Sequence, residues 1–457
     1  MASTASTQSE KDYQKMIETP VSKLILKLAG PTVISMLVTS VYNMADTFFV
    51  SKISTQASAA VGIVFPIMTI IQSFGFTLGM GSASLISRKL GEQKNKEASI
   101  FSATAFYSAL FIGLIIAIFG LIFSVSLMKF FGASSDVLPY AESYASFIFY
   151  GAPLMCASFV MNNILRSEGK SFFSMIALAT GGVLNIILDP VFIFGLKLGI
   201  KGAAIATLVS QSISFFILLS WFLQKKTICS LLPSYITKHI KDFLLICSTG
   251  LPSLTRQGLA SVAAILLNRE ASFYSDGAVA AMSIVTKIVM FIASIMIGIG
   301  QGFTPVAGYN YGAKRFERVK KSYWFTLGLG FFVMLIVSTI CGIFAEKLIA
   351  SFRNDSEVIN IGVKTLRFQL SVMPLHAFIV ATNMLLQATG KITSATFLSC
   401  NRQGIYFIPA ILLLPRIFGI NGMIISQTVS DFLTFLTSIP FLIFFMKQLK
   451  EKKSLEN

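Results

Sequence analysis

The chain has 457 residues, of which 54% are hydrophobic and only 12% charged, and its mean hydropathy is +0.75. An average soluble domain carries roughly 25% charged residues, so a soluble globule, a disordered chain and a fibrous protein are excluded, and a polytopic membrane protein is indicated. The net charge of +17 would suggest nucleic acid in a soluble protein; in a membrane protein it raises the question of which side of the bilayer holds the cations.

Residues 1–20 are polar, carry no cleavable signal pattern, and read as a solvated, partly disordered tail. Twelve apolar runs follow, at 25–49, 57–83, 99–127, 143–164, 172–195, 202–223, 243–268, 278–304, 322–344, 365–386, 393–414 and 420–446. Each is long enough to cross a bilayer as a helix, and none shows the alternation of a barrel strand. With the N-terminus inside, the inner segments hold 24 Lys and Arg and the outer segments 10. That bias places both termini in the cytoplasm and makes the +17 charge a consequence of topology rather than a nucleic-acid surface. The five cysteines are scattered without a CxxC spacing, and His239 and His376 lie far apart in sequence, so neither a disulfide framework nor a zinc site is expected.

The chain repeats itself at an offset of 221. Gly79, Gly81 and Gly91 match Gly300, Gly302 and Gly312; Pro31 matches Pro252, Pro153 matches Pro374, and Gly169-Lys170 matches Gly390-Lys391. Near the end of each half the offset becomes 220, where Gly199 and Gly202 match Gly419 and Gly422. Six spans per half is an even number, so the halves are parallel repeats related by an axis along the membrane normal. The expected fold is therefore an all-α integral membrane protein with twelve transmembrane helices in two six-helix lobes around a central cleft. Its parts are a cytoplasmic N-terminal tail (1–20), an N-lobe (21–223), a cytoplasmic linker (224–241), a C-lobe (242–446) and a cytoplasmic C-terminal tail (447–457). The repeated glycines read as close helix packing and tight turns.

Ionisable residues inside a membrane are costly and mark function. Six fall within the spans: Asp46, Asp189, Arg256, Lys287, Arg402 and Asp431. Asp46, Asp189 and Thr207 lie at a similar depth, roughly 5–10 Å below the outer end of the N-lobe at 1.5 Å per residue. Asn185 precedes Asp189 by one helical turn and shares its face. Two carboxylates, an amide and a hydroxyl at one depth make a candidate proton or sodium site, since oxygen ligands suit a hard cation. Pro190 removes the helical partner of the Ile186 carbonyl and allows a bend beside Asp189. The basic residues lie in the other half. Arg256, Lys287 and Arg402, with Gln301, are candidates for lining a substrate cleft; the alternative is that a basic residue pairs with Asp431. Asp46 and Asp189 correspond to Leu267 and Ala410 in the second half, so the acidic site is not duplicated.

The stretches VYNMADTFFV (41–50), GMGSASLISRKLGEQ (79–93), NIILDPVFIFGL (185–196), GIKGAAIAT (199–207), GIGQGFTPVAGYNYGAKR (298–315) and LQATGK (386–391) resemble the multidrug and toxic compound extrusion (MATE) family, in its bacterial MepA-like and DinF-like branch. The resemblance covers the chain from span 1 to span 12. It implies a two-lobe antiporter of the bacterial cytoplasmic membrane that moves drugs and organic cations outward against H⁺ or Na⁺. It also implies an ion site from an acid in span 1, an Asn and an Asp in span 5 and a Thr in span 6, which fall on Asp46, Asn185, Asp189 and Thr207. Members with coupling acids in spans 7 and 10 differ from this chain, which has Arg256 and Gln257 in that part of span 7.

No Walker motif is present, so ATP is not expected to drive the cycle directly, and no cofactor is expected beyond the coupling ion. A monomer acting on small molecules in the bilayer is expected, not an enzyme and not a nucleic-acid binder. The competing reading is a lipid-linked precursor flippase of related architecture, motivated by the basic C-lobe.

Overall fold

A computed structural model describes residues 2–454, and among them there is no strand. Met1 and residues 455–457 of the expected C-terminal tail lie outside the described residues. In chain order the first half comprises α1 (Ala2–Glu18), α2 (Val21–Ser51), α3 (Thr55–Gly91), α4 (Asn95–Ile122), α5 (Ser124–Phe130), α6 (Leu138–Ser167), α7 (Ser171–Pro190) and α8 (Ile200–Leu223). The second half comprises α9 (Ile240–Ser272), α10 (Asp276–Gly312), α11 (Phe316–Ile343), α12 (Ala345–Phe352), α13 (Ser356–Ala388), α14 (Ile392–Cys400), α15 (Phe407–Phe418) and α16 (Ile420–Ser454). The spans are α2, α3, α4, α6, α7 and α8, then α9, α10, α11, α13, the α14–α15 pair and α16.

The repeat seen in sequence is a repeat of helices. α3 and α10 are both 37 residues long and are offset by 221 at both ends; α4 and α11 are both 28 residues long with the same offset. Their caps match as well. The Ser54 hydroxyl accepts from the Ala57 N–H at 3.0 Å and the Ser275 hydroxyl from the Ala278 N–H at 3.0 Å, each supplying one of the amide partners that a helix start lacks. Gly169 and Gly390 end their helices at φ +76° and +80°, a left-handed conformation that glycine adopts without a Cβ clash.

Eleven of the spans are apolar enough to cross a membrane by length and composition alone. α9 is not among them, because Pro252, Ser253, Thr255, Arg256 and Gln257 interrupt its middle; its 33 residues and its place opposite α2 in the repeat identify it as the twelfth. Two expectations are corrected. The N-terminal segment is helical rather than partly disordered, and it is packed at its end. The side chain of Met16 is buried, and the Met16 carbonyl accepts from Asn310 Nδ2 at 3.3 Å. At the other end α16 continues unbroken to Ser454 instead of ending near 446. Lys452 Nζ donates to the Tyr311 hydroxyl at 2.9 Å, so both termini lie on one face of the bundle.

The lobes meet in the half of the bundle nearest that termini face. Thr32 Oγ1 donates to the Gly298 carbonyl at 2.6 Å, and Ser84 Oγ to the Gln387 carbonyl at 2.6 Å. The repeated glycines make this closeness possible. A Cβ built on Gly298 would lie 2.6 Å from Val33 Cα, and one on Gly302 would lie 2.5 Å from Ala29 Cα. Towards the opposite face α2 instead exposes Val41, Met44 and Phe48, α9 exposes Ile265, and α10 exposes Met290. The side-chain bonds between the lobes seen among the described residues all lie in the termini half.

The linker between them is pinned to the first lobe. Both carboxylate oxygens of buried Glu168 accept backbone N–H groups, from Cys229 at 2.8 Å and Ile228 at 2.9 Å, while Lys170 pairs with Glu168 at 3.0 Å and with Asp12 at 3.4 Å. Burial works to discharge the Lys170 ammonium, but Glu168 and Asp12 prevail and hold its pKa above the usual lysine value. Burial, aided by the Glu168 charge, pushes the Cys229 thiol well above its ordinary value, so this cysteine stays protonated and inert.

Candidate functional site

Four of the residues singled out in sequence come together in the first lobe. Asp189 and Asn185 project from adjacent turns of α7, and Asn185 Nδ2 donates to Asp189 Oδ1 at 3.3 Å. The same amide donates to Thr207 Oγ1 of α8 at 3.3 Å. All three side chains are buried, Asp189 completely. Asp46 reaches the cluster from α2 and is half-buried. The α-helical pattern of α7 stops at Pro190, and the next five residues, Val191–Gly195, form a π-turn in which the Leu196 N–H reaches the Val191 carbonyl at 2.8 Å. Proline removes one rung of the helix, and a wider turn directly after it is a recurrent feature of functional sites.

Sequence reasoning missed Tyr144. This fully buried tyrosine on α6 donates from its hydroxyl to Asp46 Oδ2 at 3.4 Å, and the hydroxyl also sits against Thr207. No spacing rule links residue 144 to residue 46; its repeat equivalent is Thr365, and the lack of a matching aromatic there is the one available hint.

The cluster has more acceptors than donors. Asp46 Oδ1, Asn185 Oδ1 and Asp189 Oδ2 are buried and have no hydrogen-bond partner. A buried acceptor left unmade costs about 1–3 kcal/mol, and a group bringing positive charge would relieve all three. The donor set is oxygen only, which fits a proton or a hard monovalent cation such as Na⁺. Among the described residues no cluster of three or more His, Cys, Asp or Glu exists to hold a transition metal.

The basic candidates behave differently from one another. Arg402 does not stand free in a cleft. It lies in a π-turn, Asn401–Ile405, between α14 and α15, and forks onto Asp431 with Nε to Oδ1 at 2.7 Å and Nη2 to Oδ2 at 3.2 Å. Gln427 Nε2 adds a third bond to Asp431 Oδ1 at 2.8 Å. Of the two alternatives, pairing with Asp431 is therefore the one realised for Arg402. Gln301 is buried in the seal between the lobes, where it accepts from Arg166 Nη1, and so it joins helices rather than lining the open part of the cleft. Arg256 is half-buried and Lys287 exposed, and neither forms an ion pair among the described residues. Arg166, two residues beyond the apolar run 143–164, is only 3% exposed.

The family model described as MatE matches the chain twice, at residues 31–191 and 252–413, one match per lobe. A multidrug export protein MepA of Staphylococcus saprophyticus is 26% identical over 414 residues, spanning 90% of this chain and 91% of that protein. Its namesake from Staphylococcus haemolyticus is 27% identical over 425 residues, spanning 91% and 93%. Among solved structures, an outward-facing multidrug resistance MATE family transporter of the MOP superfamily superposes with a TM-score of 0.91 at 26% identity, covering 96% of this chain and 98% of that one. A MOP superfamily transporter from Pyrococcus furiosus, described as having a binding pocket of reverse polarity that suggests a different function, superposes with a TM-score of 0.90 at 26% identity, covering 95% and 98%.

Proposed function

The chain belongs to the MatE family and is a multi-pass membrane transporter rather than an enzyme; on that premise we propose that it is a secondary active multidrug efflux antiporter. It exports organic, mostly cationic and amphipathic compounds from a bacterial cell in exchange for H⁺ or Na⁺, as a monomer in the cytoplasmic membrane and without cofactor or nucleic acid. The names of the staphylococcal relatives support the cargo class. The observation that carries the coupling role is the group of three partnerless buried oxygens on Asp46, Asn185 and Asp189.

The Lys and Arg bias supports a cytoplasmic termini face, so the end without side-chain bonds between the lobes among the described residues is the outer one. A proton or Na⁺ entering from outside is taken up between Asp46 and Asp189, with Asn185 and Thr207 as further oxygen ligands and Tyr144 orienting Asp46. One bound cation cancels one of the two carboxylate charges and relieves the repulsion between them, and the π-turn after Pro190 is the element free to change pitch in response. Closure of that pocket displaces cargo outward. The driving force includes about 2.3 kcal/mol per charge per 100 mV of membrane potential. Arg256 and Lys287, which form no ion pair among the described residues, are the second lobe's candidate cleft residues, placed to meet acceptor groups of the cargo rather than its positive charge.

The test is drug transport in proteoliposomes with a pH gradient and a Na⁺ gradient imposed separately, on the wild type and on Asp46→Asn and Asp189→Asn. We expect one gradient to suffice, and each substitution to abolish efflux while the protein stays in the membrane. Near-normal efflux in both variants would overturn the coupling assignment. A deletion that costs viability without drug sensitivity would favour the lipid-linked precursor flippase instead.

A further inference from the structure

Arg166 lies in the last turn of α6, deep in the seal between the lobes. Its Nε donates to Ser174 Oγ at 3.0 Å, Ser174 in turn donates to Asn162 Oδ1 at 2.9 Å, and its Nη1 donates across the lobe boundary to Gln301 Oε1. Every partner is neutral. No acidic side chain pairs with Arg166 among the described residues, and the nearest in sequence, Glu168, is committed to Lys170 and to the linker amides of Ile228 and Cys229. Nη2 is buried with no partner at all. The Arg166 side chain borders a small cavity walled by Asn163, Ser167, Gln301, Thr304 and Met80.

The negative end of the α6 dipole favours a cation here, but that is the equivalent of half a charge. A buried guanidinium without a counter-ion is among the most expensive groups in a protein. The cavity walls supply no other free charge. Ser167 and Thr304 spend their hydroxyl protons on the Ile164 and Gly300 carbonyls, and Asn163 spends one amide proton on the Phe159 carbonyl. This leaves the two Nη2 protons, the second Nη1 proton, the second Asn163 amide proton and the Gln301 amide protons without a bond among the described residues.

We infer that the cavity beside Arg166 is a binding site for a small monovalent anion of chloride size, held between the two lobes when the termini end of the cleft is closed. The anion is counter-ion to Arg166 and accepts from Nη2 and Asn163. Because Gln301 and Thr304 belong to the second lobe, separating the lobes at this end opens the cavity and releases the anion, so the halide stabilises the closed state. None of the acidic-site residues takes part, and the inference does not depend on the coupling ion.

The experiment has two arms. Crystals of the wild-type protein grown in bromide are measured at the bromine edge; an anomalous peak within hydrogen-bond distance of Arg166 Nη2 is expected, and its absence at full bromide, with only water density in the cavity, overturns the site. Separately, the melting temperature of the purified wild type and of Arg166→Gln is followed as chloride replaces gluconate at constant ionic strength. The wild type should shift upward with saturation, and the variant should show no shift. Equal responses in both, or none in the wild type, would refute the proposal, and the diffraction arm decides the matter if the variant does not fold.

Discussion

The two lobes share a backbone and differ in their chemistry. Helices α3 and α10 begin and end at equivalent residues, the serine caps are matched, and the turns at Gly199 and Gly419 both have φ +56°. Yet Asp189 of the first lobe is buried beside orphaned oxygens, whereas Asp431 of the second is answered by a bidentate arginine and a glutamine. Arg166 of the first lobe, with no acid to meet it among the described residues, stands where the second has the neutral Gln387. At these positions the duplicated scaffold leaves charge unanswered in the first copy and answers Asp431 in the second, where Arg256 and Lys287 form no ion pair among the described residues. Unbalanced buried charge is what an exchangeable ion requires, and balanced charge is what a rigid wall requires.

The largest test of that contrast is the paired substitution of the two acids. Asp189→Asn should reduce efflux to background with little change in thermal stability, because it removes a charge that no protein group balances. Asp431→Asn should strand Arg402 and cost about 3 kcal/mol, as breaking a buried pair does, and Arg402→Gln in the same chain should restore part of the loss. Efflux assays alongside thermal unfolding in detergent separate the two; equal efflux loss at unchanged stability in both variants would erase the distinction between the lobes.

A second test asks whether the repeated glycines serve lobe closure. Gly302→Val should cost the closed state about 1–3 kcal/mol through overpacking against Ala29, read as a drop of severalfold or more in disulfide cross-linking between Ser84→Cys and Gln387→Cys. Gly258→Val, where nothing lies within 4 Å of the new Cβ, should leave cross-linking unchanged.

Smaller effects sharpen the picture. Tyr144→Phe deletes one hydrogen bond to Asp46, worth about 1 kcal/mol, and should move the midpoint of the ion dependence of efflux several-fold while transport persists; an unmoved midpoint would remove Tyr144 from the site. Ser54→Ala should cost about 1 kcal/mol of stability, and Ser275→Ala more, since the Ser275 hydroxyl also donates to Glu357 Oε1 at 2.5 Å.

What the sequence determined by itself was whatever depends on spacing along the chain. Apolar runs of bilayer length dictate spanning helices because unpaired backbone groups are intolerable in lipid. The offset of 221 dictates two parallel lobes. Asn185 and Asp189 share a helix face because they are one turn apart. Only the tertiary structure decided the meetings between distant segments: Tyr144 with Asp46, Arg402 with Asp431, and Arg166 with Gln301. The position of Arg166 just beyond the apolar run 143–164 does not reveal its burial, because whether a helix end faces water or a neighbouring lobe is set by packing. The chain pattern states which residues are charged; which charges are answered depends on side chains brought together from residues dozens or hundreds of positions apart.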